Sequence, residues 1–176
     1  GLPLPKKIFG HTWLLQEGGK MSKSKGNVLY ADDLASVFGV DATRYYLLSA
    51  MPFDSDGVIS WNAMTEKINA DLANVYGNLV KRTVSMCNKY LGGVVERHGG
   101  ICAHETADCE LKSLACSTYK DVAALMDECR VADALDCIIS LLRRANKYID
   151  ETAPWVLAKE EANLPKLKEA LYNMVE

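Results

Sequence analysis

With 176 residues, 49% of them hydrophobic and 24% charged, the chain has the composition of an ordinary soluble globular protein and enough material for one domain or two small ones. A net charge of −3 excludes a wholly electrostatic nucleic-acid binder, which would be basic throughout. With no run of about eighteen apolar residues and no apolar stretch in the opening GLPLPKKIFG, neither a membrane-spanning helix nor a signal peptide is expected.

Along the chain, residues 8–16 and 20–30 flank the turn Glu17-Gly18-Gly19 and predict a hairpin. Two short helices follow. The first covers about 32–38 and is stopped by Gly39; the second runs from an Asp41 cap to Ala50, ahead of Pro52. MPFDSDGVIS reads as a connector with one short strand. From Ser60 the pattern becomes helical. Trp61, Met64, Ile68, Leu72, Val75, Leu79, Met86 and Tyr90 recur mostly every three or four residues and predict one long amphipathic helix. A glycine-rich loop at 92–105 leads to a helix from 106 to 129, with Leu111, Leu114, Thr118, Val122, Leu125 and Met126 on its apolar face. A further helix carries Val131, Leu135, Ile138, Leu142, Ala145 and Ile149. It ends before Ala153-Pro154, because a residue preceding proline is pushed out of the helical region. A last helix holds Leu167, Leu171 and Met174. The expected fold is mainly α: a small α/β segment at 1–57, then an antiparallel helix bundle at 58–176.

Charge is unevenly placed. Residues 1–26 hold Lys6, Lys7, Lys20, Lys23 and Lys25 against Glu17, a local +4 that leaves −7 for the rest. Three of these lysines lie in GGKMSKSKGN, residues 18–27. A solvated hairpin loop would account for them on composition alone. Glycine freedom, the hydroxyls of Ser22 and Ser24 and the point charges of the lysines also suit a loop that folds over a polyphosphate and stabilises negative charge as it develops. It is not a Walker A loop, which needs G-x-x-x-x-G-K-[ST] leading into a helix.

The six cysteines, at 87, 102, 109, 116, 129 and 137, form no C-x-x-C pair. Cys102, His104 and Cys109 match no zinc-knuckle or finger spacing, so no metal site is expected. Cys109 and Cys116 read as small hydrophobes on one helix face, in a reduced cytoplasmic protein.

In the helical half, Asn74, Asn78 and Arg82 are spaced by four. At 3.6 residues per turn they form a slanted polar row beside the apolar stripe. A solvated face explains any one of these residues. Two amides and a guanidinium in line can also read the edges of unstacked bases. Trp155, behind Pro154, is either a buried inter-helix residue or a stacking platform held at a rigid bend. Arg44-Tyr45-Tyr46 reads mainly as packing.

Lys20-Met21-Ser22-Lys23-Ser24 is, letter for letter, the K-M-S-K-S signature of class I aminoacyl-tRNA synthetases. Around it, LPLPKKIFGHTWL, KMSKSKGNV, GVDATRYYLL, DSDGVIS, NADLANVYGNLVKR and ETAPW resemble, in the same order, the methionyl-tRNA synthetases. The resemblance covers essentially the whole chain. Thr12 and Ala31 depart from it, standing where the family often has glycine and proline. It implies that the loop 20–24 closes over magnesium-bound ATP while the methionine carboxylate attacks the α-phosphate, giving methionyl-adenylate and pyrophosphate. Lys23 would neutralise the departing pyrophosphate, with Lys20 in support. It also implies that Asn78, Arg82 and the Pro154-Trp155 pair contact the anticodon of tRNA(Met), with Asn74 in the same motif. The family's H-I-G-H signature, methionine pocket and zinc knuckle are not in this sequence, so a fragment inactive on its own and free of metal is expected. Two alternatives stay open: another class I synthetase, for leucine, valine, isoleucine or cysteine, and a stand-alone RNA-binding module or scaffold without catalysis.

Overall fold

The computed structural model describes residues 2–16, 19–51, 55–97 and 104–176. Glu17 and Gly18 of the expected turn, Pro52 and Cys102 lie outside these residues. Two compact units are present, one made of residues 1–69 and 122–136, the other of 70–121 and 137–176.

In the first unit, β1 (Leu14–Gln16) pairs antiparallel with β2 (Gly19–Lys20) and parallel with β3 (Gly57–Ile59), in the order β2-β1-β3. The hairpin expected from the sequence is therefore there, but its strands are much shorter than 8–16 and 20–30. Helices α1 (Ala31–Phe38) and α2 (Val40–Ser49) are joined by Gly39 alone. Gly39 sits at φ 83°, where a side chain would be strained, so a single residue turns the chain between helices. The cap of α2 differs from expectation. Gly39, not Asp41, precedes the helix; Asp41 lies in its first turn, and Thr43 Oγ1 donates to the Gly39 carbonyl at 2.8 Å. Leu34, Tyr46, Met51, Ile59 and Met64 form the core of this unit. Phe38 stacks on Trp61 with ring centroids 5.6 Å apart. Burial pushes the Tyr46 hydroxyl pKa up, against a weaker downward pull from the Ser60 backbone.

Ser60 caps α3 (Trp61–Lys67) by accepting from the Ala63 N–H at 3.1 Å. The helical stretch runs unbroken to Leu91, as its period predicts, but it is not uniformly α. Ile68–Gly77 is π-helical over ten residues, and α4 (Asn78–Leu91) resumes the ordinary turn before Gly92 ends it in the left-handed conformation. Among structures in general a π segment is mostly a single turn, often at a functional site.

In the second unit, α4 packs with α6 (Val131–Thr152) and α8 (Leu164–Val175) around Leu79, Met86, Cys87, Ile149, Leu167 and Leu171. Ala107 and Leu111 of α5 (Glu105–Asp127) meet Tyr148 and Ala170 in an adjoining cluster. Burial pushes the Cys87 thiol pKa up. Met126 and Ile138, expected on apolar faces, are exposed, while Ile139 is buried in place of Ile138. The start of α5 carries a reciprocal cap. His104 Nδ1 accepts from the Ala107 N–H at 3.3 Å, and Asp108 Oδ2 accepts from the His104 N–H at 3.2 Å.

The fully buried Tyr148 donates its hydroxyl to Asp108 Oδ1 at 2.5 Å and accepts from Asn173 Nδ2 at 3.0 Å, tying α5, α6 and α8 together. Tyr148→Phe keeps the ring and removes the donor to a carboxylate. We expect a loss of about 1–3 kcal/mol, read as a lower urea midpoint with an unchanged m-value. An unchanged midpoint would show that the hydroxyl contributes nothing net.

Candidate functional site

The lysine loop is a built turn. Residues Lys23–Lys25 form one 3₁₀ turn, with the Lys25 N–H donating to Ser22 O at 3.1 Å and the Gly26 N–H donating to Lys23 O at 3.2 Å. Gly26 closes it at φ 66°, a conformation that costs a side chain energy. Asn27 then locks the loop to its own base. Its Oδ1 accepts from the Ser22 N–H at 2.8 Å, and its Nδ2 donates to the Lys20 carbonyl at 3.4 Å. The hydroxyls of Ser22 and Ser24 are 2.8 Å apart, and Met21 is half-buried. The sequence suggests backbone freedom from the flanking glycines; the structure shows a turn that uses Gly26 for one backbone angle and Asn27 as its clasp.

The two lysines of the signature are placed differently. Lys20 ends β2, and its Nζ lies 4.3 Å from the centroid of the Trp13 indole, a cation–π contact that holds the side chain against the sheet. Lys23 and its neighbour Lys25 are exposed, and no carboxylate pairs with either among the described residues. A cation on a hydrogen-bonded turn with no carboxylate partner among the described residues is available to an external anion. In Arg44-Tyr45-Tyr46, the arginine is exposed and Tyr46 is buried, as packing requires.

The second candidate site lies in the other unit. Asn78 is exposed on the first turn of α4, and Arg82 follows one turn later. Arg82 Nη2 meets Asp150 Oδ1 at 2.5 Å, so the guanidinium reaches across to the last turns of α6. There α6 ends at Thr152 and Ala153 turns the chain at φ 42°, ψ 63°. That left-handed conformation is strained for alanine, and doubly unusual before proline. Pro154 is buried and opens the short helix α7 (Pro154–Leu157), an element the sequence reading missed. Trp155 projects from that first turn with 43% of its surface exposed. A tryptophan filling an inter-helix core would be covered; this one presents a face to solvent. The Arg82–Asp150 pair thus brings the polar row of α4 to the α6 terminus from which Trp155 follows.

Asn74 is exposed but lies inside the π segment, so it does not continue the row through Asn78 and Arg82 at the angle a 3.6-residue turn would give. Beside Asp150 in the last turn of α6, Glu151 is held by Arg144 at 2.9 Å and Lys147 at 3.3 Å. Burial raises its pKa, but the two cations outweigh that and the net shift is downward. Among the described residues no group of His, Cys, Asp and Glu side chains could hold a metal ion, and no helix is long and apolar enough to cross a membrane. The expected residues Cys109 and Cys116 on α5 are both exposed rather than packed.

Comparison with known proteins adds three findings. Residues 1–84 match a family described as tRNA synthetases class I (M). Over all 176 residues the chain is 51% identical to the methionine–tRNA ligases of Clostridium perfringens and of Caldanaerobacter subterraneus, and it spans 27% of the length of each. Its fold superposes on Mycobacterium tuberculosis methionyl-tRNA synthetase in complex with methionyl-adenylate with a TM-score of 0.91 at 40% identity, covering 99% of this chain and 34% of that one.

Proposed function

From the premise that this chain belongs to the methionyl-tRNA synthetase family, about 27% of whose curated members' length it spans, we propose that it performs two tasks of a longer methionine–tRNA ligase. The loop 20–24 closes over ATP, and Asn78 and Arg82, with Asn74 presented from the π segment and with Pro154-Trp155, read the anticodon of tRNA(Met). In the first task, a methionine carboxylate oxygen attacks the α-phosphorus of magnesium-bound ATP. The bond to the bridging oxygen breaks, and pyrophosphate leaves with the electron pair. Charge accumulates on that leaving group as the bond stretches, so a cation placed there lowers the barrier more than it tightens ATP binding. Lys23 takes this role. Lys20, Met21, Ser22 and Ser24 shape and line the loop, with Lys20 adding a second positive charge.

The observation that carries the reading is Lys23, exposed and without a carboxylate partner among the described residues, on a turn already clasped by Gly26 and Asn27. Preorganised charge is what leaving-group stabilisation needs, and a merely solvated loop would not require the clasp. In the second task Trp155 stacks on a base, Pro154 fixes its angle, and the amides and guanidinium read base edges. Five free cysteines among the described residues suit a reducing, cytoplasmic setting. The test is specificity of exchange in the full-length protein. It should incorporate pyrophosphate into ATP with methionine and charge tRNA(Met). Exchange driven by leucine, valine, isoleucine or cysteine instead would replace the methionine reading with that of another class I enzyme. No exchange with any amino acid, alongside intact tRNA binding, would favour a binding module.

A further inference from the structure

The π segment Ile68–Gly77 is held from α6 at two points. Asn146 Nδ2 donates to the Val75 carbonyl at 3.0 Å, as well as to Leu142 O at 3.2 Å. One turn earlier, Arg143 Nη2 meets Asp71 Oδ1 at 2.8 Å, with Asp71 only 1% exposed. Both contacts grip the π turn that carries Asn74. The other amide atom of Asn146, Oδ1, is buried with no hydrogen-bond partner among the described residues. Burying an unmet acceptor is unfavourable. An apolar residue of the same size would avoid that cost but could not hold the Val75 carbonyl.

Geometry says what the grip achieves. Each residue gained or lost in a helical turn rotates everything before it by about 100° relative to everything after it. If Ile68–Gly77 relaxed to the ordinary α turn, Asn74 would swing away from its present angle to Asn78 and Arg82. We propose that Asn146 is a positioning residue for tRNA recognition: with Asp71–Arg143 as a second clasp, its hydrogen bond to Val75 O keeps Ile68–Gly77 in the π form and so sets Asn74 against Asn78. This rests on the anticodon reading above.

The experiment uses the full-length enzyme with Asn146→Leu, close in shape but unable to donate, and with Asn146→Asp as the more polar counterpart should the leucine variant fail to fold. Affinity for tRNA(Met) should fall roughly tenfold in either variant, the loss expected for one hydrogen-bonded base contact. Methionine-dependent pyrophosphate exchange should not change. The distinguishing readout is coupling. Asn74→Ala added to Asn146→Leu should weaken binding no further, because Asn74 has already lost its position, whereas Trp155→Ala should still add its full effect. Unchanged tRNA affinity in the Asn146 variants, or effects of Asn146→Leu and Asn74→Ala that simply multiply, overturns the inference while leaving the anticodon reading intact. If Asn74→Ala and Trp155→Ala themselves leave tRNA affinity untouched, the anticodon reading fails and the inference falls with it.

Discussion

In the full-length enzyme, Lys23→Ala is expected to slow methionine-dependent ATP–pyrophosphate exchange by about a hundredfold or more, the usual scale for losing one preorganised donor to developing negative charge. If Lys23 has the proposed role, the loss should appear in kcat, with the ATP KM nearly unchanged, because the charge it would meet is largest when the pyrophosphate is leaving. Lys20→Ala should cost less. Its ammonium is already engaged by the Trp13 ring, so part of its charge is spent on holding the strand end. Methionine binding should be untouched in both variants, because the proposed role of the lysines is toward the phosphates of ATP. Near-normal exchange in Lys23→Ala would remove it from the mechanism and return the loop to a solvated turn. A loss confined to the ATP KM would mean that the lysine binds the ground state instead.

The second large effect belongs to Trp155. If Trp155 stacks on a base as proposed, Trp155→Ala should weaken tRNA affinity about ten- to a hundredfold, the roughly 1–3 kcal/mol of one stacked base. Trp155 is 43% exposed, so the change should destabilise the protein by less than loss of a fully buried tryptophan would. Arg82→Ala should weaken tRNA binding by less. The guanidinium already has the Asp150 carboxylate as partner, and RNA has to compete with that contact to gain a charge-assisted hydrogen bond. Neither variant should alter adenylate formation. Both activities are measured on the same proteins, with tRNA(Met) and with a tRNA of altered anticodon. Equal weakening of the two tRNAs by Trp155→Ala, or a fall in pyrophosphate exchange as large as the fall in charging, would make Trp155 a structural residue and end the anticodon assignment.

What the sequence by itself determined is local. Helix positions followed from apolar spacing, because one face of each helix has to be buried and the 3.6-residue repeat leaves its mark on the chain. Gly39 as a stop and Ala153-Pro154 as a break followed from backbone sterics that depend on one or two residues. The lysine signature and the phrases around it are likewise local, and they point to both candidate sites. The tertiary structure decided everything that joins distant residues. Apolar spacing of four, three and four at Ile68, Leu72, Val75 and Leu79 reads as an ordinary α turn, and the clasps on the π segment come from Asp71–Arg143 and Asn146–Val75, residue pairs 72 and 71 positions apart. Arg82 finds Asp150 across 68 positions. Strand lengths also depended on partners: β1 lies between β2 and β3, and only residues with neighbours on the sheet become strand. Short-range sterics and periodicity are written in neighbouring residues, whereas a hydrogen bond between helices exists only after packing has brought its donor and acceptor within about 3 Å.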